Sequence, residues 1–287
     1  MTVPLVISLD LEIATDHELT PQASMLDRIG ADSSRLGIPL TVFTTADAAE
    51  AFASPLRRLI ATGHEIGCHG TDHGPGDNYR TMSACEARRR VHTATARIET
   101  AVGVRPYVFR GPRMTTSAET QLALVEHGYI GDFSACPMRV DFWRSGGGSL
   151  KEFFATRAPF LPSRGSAFRR GEIPLVVVPL GGFGIPFLSG SLYLLGSRLM
   201  RLFFEFLLAQ ARRSAAPIVY LFHSYEFVPL FRGVPNRRPL HQRLYVRDPE
   251  VRYTMNVELW HSMFSRRDVA ARTAGSIARE WLGGLTR

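Results

Sequence analysis

Ala61-Thr62-Gly63-His64-Glu65-Ile66-Gly67-Cys68-His69-Gly70-Thr71-Asp72-His73-Gly74 reads as a short strand, about Glu65 to Cys68, entering a glycine-flanked turn with two histidines. Imidazole is the commonest nitrogen ligand of borderline divalent metals, and metal ligands usually come closely spaced. On a helix, a spacing of four would place both rings on one face. Gly70 and Gly74 favour a loop instead, in which the rings can still converge. Nine histidines in 287 positions give roughly 0.3 such pairs by chance. Taken alone, the pair reads equally well as two polar loop residues, so its meaning depends on the chain around it.

Upstream, Val3 to Leu9 is a continuous apolar run suited to a strand buried on both faces. It ends in Asp10-Leu11-Glu12, and strand alternation points both carboxylates the same way. Thr20-Pro21 opens a helix to about Leu36; Pro39 to Thr44 is a second strand, and Asp47 to Ala61 a second helix. Downstream, Ser83-Ala84-Cys85-Glu86 is a capping box for a helix to about Val102. Val104 to Arg110 is strand-like and stops at Gly111-Pro112. Thr116 with Glu119 starts a helix to His127, and Tyr129 to Phe133 is a short strand. Ile173 to Val178 and Ile218 to Phe222 are further apolar runs. About seven strands alternating with helices predict a parallel α/β architecture. Ligands in such folds meet the carboxyl ends of strands, where Asp10, His69, Arg110, Asp132 and His223 all fall.

With 45% hydrophobic residues the chain can bury a full core. Nothing at the amino terminus reads as a secretory signal, and three cysteines (Cys68, Cys85, Cys136) suit a reducing compartment, so a cytoplasmic protein is expected. The net charge is +8, carried almost wholly by arginine, with Lys151 the single lysine. That balance suits acidic partners such as phosphates or anionic lipid headgroups. Nucleic acid is not expected, because no zinc-finger, recognition-helix or RNA-binding strand pattern is present.

Five segments, in order from Val3 to Glu226, resemble the polysaccharide deacetylases with the NodB-homology domain (carbohydrate esterase family 4). They are Ser8-Leu9-Asp10-Leu11-Glu12, His69-Gly70-Thr71-Asp72-His73, Phe109-Arg110-Gly111-Pro112, Asp132-Phe133-Ser134 and Leu221-Phe222-His223. The resemblance implies a distorted parallel (β/α)7-type barrel and metal-dependent removal of an N-acyl group from a sugar. Where the commonest first motif has adjacent aspartates, Leu11 here separates Asp10 from Glu12. That is closer to the Asp-x-Asp or Asp-x-Glu subset found among intracellular and lipid-linked-sugar enzymes, and it leaves open which carboxylate holds the metal.

Amide hydrolysis near neutral pH needs an activated water, a polarised carbonyl and a proton for the departing amine. On this resemblance Glu12, His69 and His73 are the expected ligands of a divalent metal, zinc the first expectation. Asp10 is the expected general base and His223 the acid for the leaving nitrogen. Arg110 is expected to orient Asp10, and Asp132 to orient His223 and raise its pKa. Each has a plainer alternative: Arg110 a structural ion pair, Asp132 a turn or helix cap, His223 a core histidine. Asp16, His17 and Glu18 read as a solvated loop, although Asp16 or His17 could reach the metal. Cys68 should face away from His69 and pack.

Ile173 to Ser197 lacks charge, but its prolines and glycines speak against a spanning helix. A helix from about Leu192 to Arg212 carries one polar stripe, with Arg201 expected to pair with Glu205, and more apolar surface than one barrel contact needs. It is either deeply packed or offers a surface to a lipid tail or a membrane interface. The basic run from Arg232 to Arg252, with Arg237, Arg238, Arg243 and Arg247, is a solvated surface or a phosphate clamp. A last helix spans roughly Ser265 to Leu282. The expected division is a deacetylase barrel over 1–232 and a basic C-terminal extension over 233–287, whose terminal helix packs on the barrel.

The reading is a cytoplasmic enzyme, peripheral to the inner membrane face if the apolar surface is used. It removes an N-acetyl group from an amino sugar, free or polyprenyl-phosphate-linked. Alternatives are a deformylase of a lipid-linked formamido sugar and a catalytically silent glycan- or lipid-binding protein of the same fold.

Overall fold

The computed structural model describes residues 2–13, 19–74, 76–138, 150–228 and 248–285. Asp16, His17, Glu18 and the arginines at 237, 238, 243 and 247 lie outside these. The apolar runs form the strands that periodicity predicts: β1 (Val3–Leu11), β2 (Leu40–Thr44), β3 (Glu65–Cys68), β4 (Val108–Phe109) and β5 (Gly131–Asp132). Between them lie α1 (Leu19–Arg35), α2 (Ala46–Ala51), α3 (Ala53–Ala61), α4 (Ala84–Val102) and α5 (Ala118–Glu126). After α6 (Leu150–Phe153) come a hairpin of β6 (Pro162–Ser163) and β7 (Ser166–Arg170), then β8 (Val176–Val177), β9 (Gly182–Phe183) and β10 (Ile185–Pro186). The chain continues through α7 (Ser189–Ser214), β11 (Ile218–His223), α8 (Pro249–Phe264), β12 (Val269–Ala271) and α9 (Ala274–Leu285).

The main sheet runs β11-β1-β2-β3-β4-β5-β8 with every ladder parallel. This is the expected distorted parallel (β/α)7-type barrel. The distortion lies at the seam, where β8 and β11 share no ladder. Irregular backbone bridges them instead: Gly181 N–H donates to Val219 O (3.0 Å) and Leu221 N–H to Phe187 O (3.3 Å). A Cβ at Gly181 would sit 2.9 Å from Val219 O, so only glycine lets the two segments approach this closely.

Alternation along β1 separates two cores. Leu5, Ile7, Leu9 and Leu11 pack outward under the helices, whereas Val6 faces the barrel interior with Phe43, Val108, Phe133, Val176, Val219 and Leu221. Both faces are apolar and buried, which is why β1 reads as an unbroken hydrophobic run. The lower mouth is filled by α9, whose Ala274, Ile277 and Ala278 join the interior cluster. Its first turn is fixed by the barrel, with Gly275 N–H donating to Glu65 Oε2 (2.9 Å) and Ala274 N–H to Thr41 Oγ1 (2.9 Å).

Several local expectations are corrected. The helix expected over Asp47 to Ala61 is two helices meeting at Phe52. Thr116 does not cap α5; Ser117 does, accepting from Thr120 N–H at 3.1 Å. The last helix begins at Ala274 rather than near Ser265, because Val269–Ala271 adds to β1 as a strand. Within residues 248–285, β12 pairs with β1, and α9 packs on the barrel with Ala274, Ile277 and Ala278 in the interior core. Glu205 pairs with Arg266 (2.6 Å) in place of the expected Arg201.

Candidate active site

Strand register assembles the site. Asp10 and His223 are direct partners on neighbouring β1 and β11. His69 leaves the end of β3 with its N–H on Thr44 O (2.8 Å), and Arg110 leaves β4 with its N–H on Cys68 O (2.9 Å). Cys68 packs on the outer core, as alternation requires, and burial pushes its thiol pKa up to about 12.

Glu12, His69 and His73 bring three donor atoms within 4.8 Å of one another. His73 Nε2 lies 3.1 Å and His69 Nε2 3.4 Å from the same Glu12 oxygen. Ligands bonded at about 2.1 Å around a tetrahedral cation stand about 3.4 Å apart, so these separations fit. His69 Nδ1 is 2.7 Å from Arg110 O, which must accept a proton from it. The Nε2 lone pair is thereby turned toward the two carboxylates. Burial alone would raise the Glu12 pKa, but the His69 hydrogen bond and the charges of His69, His223 and His73 hold it down at about 2. Burial likewise opposes charge on His69, yet Asp10 and Glu12 outweigh it and raise its pKa. A field that retains a proton on Nε2 would equally retain a divalent cation. The donor set thus fits a metal ion.

One residue missed by sequence reasoning builds this loop. Asp77, fully buried, accepts on one oxygen the N–H groups of Thr71 (2.7 Å), Asp72 (2.9 Å) and His73 (3.2 Å). Its other oxygen takes the Thr71 hydroxyl (2.9 Å) and Arg90 Nη1 (3.1 Å). The loop curls tightly enough to put Gly70 at φ +81° and His73 at φ 59°, and a Cβ at Gly70 would lie 2.9 Å from Asp77 Oδ2. An aspartate four positions past His73, among glycines, was the available signal.

Asp10 is buried and accepts from Arg110 Nη1 at 2.7 Å; its other oxygen stands 3.7 Å from His69 Nε2. The Arg110 guanidinium lies 4.2 Å over the Phe43 ring, with Nε donating to Phe133 O (3.3 Å) and Nη2 buried without a partner among the described residues. This geometry fixes the orientation of the Asp10 carboxyl group.

His223 is oriented by a different acid from the one expected. Its Nδ1 lies 2.9 Å from Oε1 of Glu226, which is fully buried. Ser189 Oγ and Tyr193 OH, both from the start of α7, each donate to Glu226 at 2.8 Å, and Asn256 Nδ2 donates to Tyr193 OH at 2.9 Å. Burial opposes protonation of His223, but the Glu226 hydrogen bond and charge, with Glu12 and Asp10 beyond, raise its pKa to about 9. Asp132 does not take that role: Glu226 holds His223 Nδ1, while both Asp132 oxygens are engaged by Ser134, Thr116 and Gln121. Its buried carboxylate accepts from Ser134 Oγ (2.5 Å), Ser134 N–H (3.0 Å), Thr116 Oγ1 (2.8 Å) and Gln121 Nε2 (3.0 Å). Burial raises its pKa against those bonds. Through Ser134, which accepts from Gly111 N–H at 2.8 Å, Asp132 braces the turn after Arg110.

Residues 29–131 match the family model described as polysaccharide deacetylase. Over that stretch the chain resembles the polysaccharide deacetylase family. The matched stretch includes His69, His73, Asp77 and Arg110; Asp10, Glu12, His223 and Glu226 come from the segments that flank it. Among solved structures, a Mycobacterium smegmatis protein classed as a polysaccharide deacetylase aligns at 16% identity over 99% of this chain and 91% of that one, with a TM-score of 0.64. A Pseudomonas aeruginosa PAO1 protein of the same class aligns at 17% identity over 97% and 90%, with a TM-score of 0.60. The allantoinase PuuE aligns at 18% identity over 98% and 90%, also at 0.60. At such identities the likeness is one of fold. No curated protein sequence matches the chain.

Proposed function

We propose that this polysaccharide-deacetylase relative is a metal-dependent hydrolase that removes an N-acetyl group from an amino sugar. The observation that carries the reading is the convergence of Glu12, His69 and His73 beside Asp10 and His223 at one end of the barrel. Two imidazole nitrogens and a carboxylate oxygen are a donor set suited to zinc, and three protein ligands leave coordination positions open. When bound there, the cation supplies Lewis acidity, polarising an acyl oxygen and making water more acidic.

The remaining chemistry belongs to the chain. Asp10, oriented by Arg110, takes the proton of the attacking water. His223, kept protonated by Glu226, delivers a proton to the nitrogen as the C–N bond breaks. Glu12 serves as ligand rather than Asp10, because Arg110 already occupies one Asp10 oxygen while Glu12 meets both histidines. Asp132 acts by positioning the Arg110 turn.

A cytoplasmic location and a polyprenyl-phosphate-linked sugar belong to the same proposal; the Asp10-Leu11-Glu12 spacing supports them. The test is release of acetate, and separately of formate, from free, nucleotide-linked and polyprenyl-linked N-acyl sugars with added zinc. Acetate released by the native enzyme and lost in Asp10→Asn supports the reading. Formate alone would make the enzyme a deformylase. No acid from any substrate would leave a silent binding protein.

A further inference from the structure

The first turns of α7 hold Glu226 behind His223, yet the rest of that helix carries an apolar strip turned to solvent. Leu194 is 63% exposed, and beyond it Gly196 (φ 76°) breaks the helix. Leu199 (54%), Leu202 (66%) and Phe206 (42%) then recur at spacings of three and four, which places them on one face. Phe183 of β9, 44% exposed, meets Phe206 edge-on at 5.3 Å, and Phe203 stacks on Phe206 at 6.5 Å. Single exposed leucines are ordinary, whereas an ordered row of large side chains leading away from a catalytic rim marks a contact surface.

Charge around the strip shows what covers it. Arg198 and Arg201 lie on the adjacent stripe, Arg213 follows two turns after Phe206, and Arg157 sits 5.1 Å over the Phe183 ring. Among the described residues none of these four pairs with a carboxylate. On other faces Arg28 pairs with Glu250, Arg58 with Asp27, Arg88 with Glu126 and Arg97 with Glu50. Glu205, the acid on this side of α7, is taken by Arg266. Arg157 and Arg213 also line a cavity of 610 Å³ with Leu207 and Gln210. A second copy packed on this face would press unmatched arginines against their equivalents. A bilayer bearing anionic headgroups satisfies both parts of the surface, with phosphates beside the guanidiniums and acyl chains around leucine and phenylalanine. Among the described residues no helix is long and apolar enough to cross a membrane.

We propose that this face of α7 seats the protein on the surface of an anionic lipid bilayer, the helix lying in the interface. The proposal does not depend on the hydrolase reading, because vesicle binding is measured without turnover. Full-length protein is floated with vesicles of phosphatidylcholine alone and of phosphatidylcholine mixed with phosphatidylglycerol. The expected result is binding to the mixed vesicles only, weakened by salt. Arg198→Gln and Arg201→Gln should each lower the partition coefficient about fivefold. The pair Leu199→Asp with Leu202→Asp should lower it at least tenfold, with thermal unfolding and hydrolysis of a soluble N-acetyl sugar unchanged. No binding to anionic vesicles overturns the proposal, as does equal binding by all variants. A sedimenting dimer dissolved by the aspartate pair overturns it too and assigns the face to a second copy.

Discussion

Asp10 and His223 face each other in register, each fixed by an oppositely charged partner, and the chemistry follows from those two pairs. Asp10→Asn should cut kcat by about 10²- to 10⁴-fold, with bound zinc retained. It leaves the Arg110 charge buried and unmatched, so unfolding in denaturant should show a loss of about 3–5 kcal/mol. Rates are therefore compared where both proteins are folded. His223 must be protonated to act as an acid, and its pKa is raised to about 9, so kcat/KM should fall as pH rises through about 9. Because this pKa lies above the ordinary 6.5 of the imidazole, the ion pair stabilises the fold fully below that value, and its contribution fades as pH rises through about 9. Glu226→Gln removes the charge that opposes burial, so the alkaline limb of the kcat/KM profile should move to lower pH. A limb that stays at about 9 would show that Glu226 does not set it. That Asp10, Glu12, His69, His73, Arg110 and His223 gather at one end of the sheet was legible because each stands at or shortly after the end of a strand. Glu226 and Asp77 were not: each acts through a contact that depends on how a short turn folds back, and Glu226 on the arrival of α7.

The loop from Gly70 to Asp77 is the element on which the proposed metal binding rests, since one carboxylate gathers three successive N–H groups and His73 sits at positive φ. Asp77→Ala should weaken zinc affinity about 10- to 100-fold by chelator competition while β3 stays intact. Unchanged affinity would show that the histidines find their geometry without it. The start of α4 was readable: Ser83 accepts from Glu86 N–H as its capping-box position predicts. The break at Phe52 and the Arg266 partner of Glu205 were not, because neither leaves a mark in local spacing. Asp132 was misassigned for a related reason. A strand-end acid shows where it stands along the chain but not which neighbour it meets across a curled sheet.

For the whole molecule, periodicity predicted the parallel sheet and the end at which ligands meet it. It did not predict the pairing of β12 with β1, since a three-residue strand carries little periodic signal. Ile277 is buried against the barrel strands, so Ile277→Ala should cost about 2–5 kcal/mol in denaturant unfolding. A cost near zero would mean that α9 merely covers a barrel already complete. The central claim, that side chains far apart in sequence gather around one cation, is tested most directly by anomalous scattering at the zinc edge from crystals of the zinc-loaded protein. The account predicts a single peak about 2.0–2.1 Å from Nε2 of both His69 and His73, with a Glu12 oxygen at about 2.0–2.2 Å. A peak elsewhere, or none between the two imidazoles, would contradict it.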